Sequence, residues 1–194
     1  MNLTLAEIAR YMRMGREVPE GDLAARVERL LAEAEGLFDM RRRFARFRYS
    51  DLGLASSQLD RHLDGCEDVY LSCGTIGAPF DALLRRASAV SGLDALIVQA
   101  IGAAAVEKHM DAVDGEIRAE LSPGESLLPR YSPGYGDFPL EASRKILEML
   151  DAPRRIGVSL TDTLLLVPSK TVTAVIGVRP SGTARQQRRH DMEP

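Results

Sequence analysis

The 194 residues suit one domain, or one domain with an arm, and are enough to bury a core without disulfides or structural metal. Apolar residues make up 45% and charged residues 27%, and the net charge of −3 supplies no global field for nucleic acid or an anionic membrane. Aromatic residues are only 5% and Trp is absent, which argues against a base-stacking surface.

Thr4-Leu5-Ala6-Glu7 has the capping-box pattern, so a first helix is expected from Leu5 to near Gly15. With Glu7 and Arg10 so near the start, no signal peptide is expected there. No charge-free apolar run approaches the roughly 20 residues that span a bilayer, and the expected location is the cytoplasm. Pro19 suits the first turn of a second helix, in which Val27, Leu30, Leu31 and Ala34 recur at helical spacing. Residues 41–50 mix Phe44 and Phe47 with Arg41, Arg42, Arg43, Arg46 and Arg48, and predict an exposed strand whose arginines face solvent or bind an anion. Ser56 and Ser57 can cap a short helix through His62.

Val69 to Cys73 reads as a buried strand, Gly74 to Gly77 as a turn, and Pro79 as the start of a helix. A strand, a Gly turn and a helix N-terminus can hold an anion, but neither G-x-G-x-x-G nor a Walker pattern is present. Asp94 is expected to cap a long helix to about Ala119, bare of large side chains at Gly102-Ala103-Ala104-Ala105. Residues 122–136 are rich in Pro and Gly and predict a long irregular loop, functional rather than disordered because it carries Arg130, Tyr131 and Tyr135. Pro139 begins another helix, ending before Pro153. Residues 163–167 and 171–178 read as two strands of a hairpin around Pro168-Ser169-Lys170. Residues 179–194 lack a core face and read as a flexible tail. The divisions are an N-terminal helical arm with a first strand over 1–50, an α+β core over 51–178 and the tail over 179–194. Few strands among many helices favour a central mixed or antiparallel sheet with flanking helices over a doubly wound parallel sheet.

His62, Cys66 and Cys73 fit no standard zinc spacing, and two buried thiols is the better reading, so no metal is expected. No nucleophile elbow, metalloprotease or C-x-x-C motif occurs, and the three histidines have no triad spacing. The informative feature is the loop at 130–136. Arg130 can clamp a carboxylate or phosphate, or tie down the loop itself. Gly134 and Gly136 let backbone approach a flat ligand, and Tyr135 offers a ring and a hydroxyl.

Arg130-Tyr131-Ser132-Pro133-Gly134-Tyr135 resembles the R-x-x-x-G-Y motif of the activation (reactivation) domain of cobalamin-dependent methionine synthase. The likeness continues through Gly136 to Leu140 and resumes at Ile156 to Thr163 and Val167 to Gly177. These ordered blocks fall within a span of about a quarter of the chain, Arg130 to Gly177, and resemble the free-standing bacterial form of that domain. The resemblance implies an activation-domain-like α+β fold that binds S-adenosylmethionine and presents it to cobalamin supplied by a partner protein. It implies a cobalamin-binding methionine synthase core or other corrinoid protein as partner, and a reductant such as a flavodoxin-type protein. It also implies an activation subunit in methionine biosynthesis rather than a self-contained methyltransferase. Carried over, Arg130 holds the methionine carboxylate, Tyr135 sits by the reacting methyl, and Gly134, Gly136 and Asp137 offer backbone to the adenosine. Where that domain has an aromatic residue in the last strand this chain has Val175 and Ile176, which motivates an alternative, a corrinoid-protein docking module that no longer binds S-adenosylmethionine.

Overall fold

A computed structural model describes residues 2–15 and 17–180. The chain forms two compact units, each drawn from three segments. The first gathers residues 2–42, Gly74–Ala112 and Val158–Val172; the second gathers Arg43–Cys73, Val113–Gly157 and residues 173–180. The predicted tail from 181 onward lies outside the described residues.

Helix α1 (Leu5–Tyr11) starts on a complete capping box: Thr4 Oγ1 accepts from the Glu7 amide at 3.2 Å, and Glu7 Oε2 accepts from the Thr4 amide at 2.7 Å. It stops short of Gly15 because Arg13 turns into the left-handed region at φ 60°. Helix α2 (Gly21–Glu35) buries Val27, Leu30 and Ala34. Pro19 lies before it rather than in its first turn, since Glu20 is still extended and the chain enters through Gly21 at positive φ. Strand β1 (Arg41–Arg48) is followed by a 3-10 turn at Tyr49–Asp51 and by α3 (Ser57–His62), with Ser56 as N-cap.

Strand β2 (Asp68–Thr75) runs through Gly74, which the sequence places in a turn. Gly74 is there for close packing, because a Cβ would stand 2.5 Å from Met110 Sδ. Helix α4 (Ala78–Val90) has Pro79 in its first turn as expected. Helix α5 (Gly92–Ala119) begins before Asp94. The Ser91 hydroxyl accepts from the Asp94 amide at 3.4 Å, while the Asp94 carboxylate accepts from Arg26 Nε at 2.6 Å. The bare segment at Gly102 is filled by the Phe80 ring and the Lys170 stem, which approach within 2.5 and 2.8 Å of a Cβ position.

Strand β3 (Ser126–Leu127) precedes the long loop. Beyond it, Pro139 to Glu141 form i→i+3 turns, so α6 (Ala142–Met149) starts three residues later than the sequence indicates. Asp151 at φ 50° then breaks the chain into α7 (Ala152–Ile156), whose first turn takes Pro153. The expected hairpin does not form. Strand β4 (Ser159–Leu160) pairs antiparallel with β5 (Leu166–Val167), whereas β6 (Thr171–Arg179) belongs to a four-stranded sheet of order β1-β2-β6-β3. The reason lies in the turn between them. Ser169 donates to the Asp81 carboxylate through its amide (3.0 Å) and hydroxyl (2.6 Å), and the Lys170 carbonyl accepts from the Ile76 amide at 3.1 Å. Those contacts lead the chain away from β5.

The architecture is therefore mixed α and β with an antiparallel sheet and flanking helices, as expected from the sequence. In the first unit Ile8, Val27, Leu30, Ile76, Phe80 and Ile101 make one apolar cluster. In the second, Leu59, Leu71, Ile117, Phe138, Ile146 and Val175 are fully or almost fully buried. Each such side chain stabilises by about 1.5–3 kcal/mol relative to leaving it in water.

Candidate functional site

The loop that carries the R-x-x-x-G-Y residues lies in the second unit and grows out of the sheet. Ser126 and Leu127 pair with Arg179 and Val178, and the Leu128 amide donates to the Gly177 carbonyl at 2.9 Å. Tyr131 then pairs with Val175 through two 2.9 Å backbone bonds. Four steps from Leu127 to Tyr131 thus face three from Val178 to Val175. The extra residue is a local bulge at Pro129 and Arg130. Bulges of this kind re-aim a side chain, and the residue re-aimed here is Arg130.

The Arg130 guanidinium meets α5, where its Nη1 donates to Asp114 Oδ2 at 2.6 Å. Both side chains are largely buried, at 16% and 13% exposure. Nothing in the local sequence of Arg130 marks Asp114. The signal is on α5 itself: Asp114 stands four residues after Met110 and three before Ile117, inside a stripe that is otherwise buried and apolar. A carboxylate at such a position requires a cation.

Tyr131 is the hub of the loop. Its ring centroid is 5.0 Å from His62, 6.1 Å from Phe138 and 6.3 Å from Tyr135. His62 Nε2 is 2.9 Å from the Pro129 carbonyl, so the histidine of the discounted zinc spacing fixes the bulge instead. Among the described residues no cluster of three His, Cys, Asp or Glu side chains is placed to hold a metal ion; Cys73 is buried and Cys66 half-buried. Phe138 is buried and closes the loop, with its carbonyl accepting from the Gly134 amide at 2.8 Å. Tyr135 is the exposed member, at 66%. Gly136, at φ 55°, leaves no room for a Cβ, which would fall 1.9 Å from Gln58 Oε1.

Asp137 sits where the loop meets α3. Its carboxylate accepts from Ser56 Oγ (2.5 Å), from the Ser57 amide and hydroxyl (2.9 and 2.6 Å) and from the Gln58 amide (3.1 Å). These bonds, the Ser56 hydroxyl first, hold its pKa below the ordinary 3.8. A carboxyl with a lowered folded pKa contributes stability that is complete above the unfolded value and is lost as pH falls through the folded one. Thermal unfolding followed from pH 6 down to about pH 3 is expected to show a shallower loss for Asp137→Asn than for the native chain, because the amide cannot titrate. Parallel curves for the two proteins would refute the contribution.

The five positions 130, 134, 135, 136 and 137 are thus brought onto one loop, fixed at one end to β6 and at the other to α3. Arg46 and Arg48, two arginines of β1, are engaged with acids. Arg46 donates to Glu125 at 2.6 and 3.0 Å and to Asp68 at 2.9 Å, and Arg48 donates to Glu67 at 2.6 Å.

No family model and no curated protein matches the chain. Among solved structures it is similar to one described as the MetH reactivation domain bound to AdoHcy, with a TM-score of 0.59 and 15% identity over 90% of this chain and 75% of that one. The fold is that of the MetH reactivation domain. Within the reactivation-domain fold of this chain, Val175 and Ile176 are fully buried in the central strand β6. No helix among the described residues is long and apolar enough to cross a membrane.

Proposed function

We propose that this chain is an accessory protein for a cobalamin-dependent methionine synthase or another corrinoid methyltransferase, presenting S-adenosylmethionine for reductive methylation of inactive cobalamin. The observation that supports the reading is the Arg130–Asp137 loop, held at both ends and exposing Tyr135, in a chain with the reactivation-domain fold. The residues suit that ligand. Arg130 offers a guanidinium of the shape that grips a carboxylate, and Tyr135 offers an exposed ring. When bound, the sulfonium supplies an electrophilic methyl group, and the chain supplies charge and position. Cobalamin comes from a corrinoid partner in this reading, and the electron from a flavodoxin-type reductant.

Calorimetric titration of the full chain with S-adenosylmethionine and with S-adenosylhomocysteine tests it. The expected result is saturable heat at one ligand per chain. No heat with either ligand removes the methyl-donor role.

A specific observation supports the second reading, a docking module of the same fold that does not bind S-adenosylmethionine. The Arg130 guanidinium already holds the Asp114 carboxylate. That reading predicts a complex with a cobalamin-loaded corrinoid protein from a chain that shows no ligand heat.

A further inference from the structure

The Arg130–Asp114 pair defines what any carboxylate ligand of the loop must do. The Nη1–Oδ2 distance of 2.6 Å is that of a strong charge-assisted hydrogen bond. With side-chain exposures of 16% and 13%, water screens the pair little, so its mutual attraction is not weakened as a surface pair's is. The two residues come from different elements, Asp114 from α5 and Arg130 from the bulge after β3, 16 residues apart. An incoming carboxylate therefore meets an arginine whose favoured partner is already in place.

We infer that Asp114 is an internal competitor for the ligand's carboxylate, so that binding at Arg130 is an exchange of one carboxylate for another. The inference rests on the reading of this loop as the S-adenosylmethionine site. Exchange has a physical consequence that simple addition lacks. The ligand must win the guanidinium from a group already held beside it at high effective concentration, and the measured affinity is the difference between the two contacts. Asp114 thereby sets the ligand concentration at which the site fills. It also makes the carboxylate end of the ligand count for less than its contact with Arg130 alone would give. The adenosine end, assigned to the exposed Tyr135 ring, meets no competing carboxylate.

The test uses Asp114→Asn, which keeps the shape of the side chain and removes its charge. S-adenosylhomocysteine carries the carboxylate; methylthioadenosine has the same nucleoside and thioether without the amino-acid head. Titration of the native chain and of the variant with each should give S-adenosylhomocysteine binding at least tenfold tighter in the variant, with methylthioadenosine binding unchanged. Asp114→Ser, smaller but neutral, should shift affinity in the same direction, and circular dichroism of both variants establishes that they are folded. Equal or weaker S-adenosylhomocysteine binding in the folded variants overturns the competition and leaves the binding site standing. A gain that methylthioadenosine shares equally also overturns it, since the carboxylate would not be its cause. Binding of neither ligand to either protein overturns the competition together with the functional reading on which it rests.

Discussion

Arg130→Ala is expected to destabilise the protein by about 3–5 kcal/mol, the range for removing one partner of a buried ion pair. The loss comes from the carboxylate that remains. Asp114 is 13% exposed and lies within the apolar stripe of α5, between Met110 and Ile117, both fully buried. With the guanidinium gone, its charge keeps the cost of leaving water and loses its main compensation. Against a typical total stability of about 5–15 kcal/mol, this is a large fraction. For a chain of this size it lowers the melting temperature by roughly 10 °C. The double variant Arg130→Met/Asp114→Leu is expected to recover most of the loss, because neutral side chains of similar size need no partner. Urea unfolding of the three proteins measures this. A single-variant cost under about 1 kcal/mol, or a double variant no better than the single, would show that the pair is effectively solvated.

Gly77→Ala is the second large effect, and its origin is backbone rather than charge. Gly77 has φ 90° at the entry to α4, a conformation that costs an L side chain about 1–3 kcal/mol. A Cβ there would stand 2.6 Å from Asp39 Cβ and 2.8 Å from the Asp39 carbonyl oxygen. Asp39 is not free to retreat, since its amide donates to the Ile76 carbonyl at 2.9 Å. Gly77 is fixed as well, its amide donating to Thr75 Oγ1 at 3.1 Å. Strain and overlap together should cost about 2–4 kcal/mol. Gly92→Ala is the matching control. It lies in the first turn of α5, has nothing within 4 Å of its Cβ position, and should be neutral or stabilising by up to about 1 kcal/mol. Denaturation midpoints that shift alike for the two variants would contradict the steric account.

The sequence was most legible where the cause of structure is local. Thr4 and Glu7 announce α1 because both halves of the capping box lie within one turn. Ser56 announces α3, and the spacing of Val27, Leu30 and Ala34 announces the buried face of α2. The motif loop was legible as a feature because Pro, Gly, Arg and Tyr are an unusual mixture for a surface connection. What escaped was decided by partners far along the chain. Pro168-Ser169-Lys170 has the composition of a hairpin turn, yet Ser169 answers to Asp81, 88 residues away. Gly74 has the composition of a turn but serves the packing of Met110. Arg130 could be read as an anion clamp or as a structural tie, and its own neighbours carry no information to separate them. The deciding residue, Asp114, is an acid on an apolar stripe, a local anomaly whose meaning depends on a distant arginine.

The four hydrogen bonds to Asp137 carry a consequence for how the chain comes into being. A helix N-cap is ordinarily a matter of three or four consecutive residues, complete as soon as they are made. In α3, Ser56 covers the Leu59 amide, but the Ser57 and Gln58 amides are covered by a carboxylate about 80 residues downstream. A nascent chain that has passed His62 by tens of residues still holds an unfinished helix of six residues, too short to persist by its own hydrogen bonds. The start of α3 and the end of the motif loop are one event in synthesis, and it waits for residue 137.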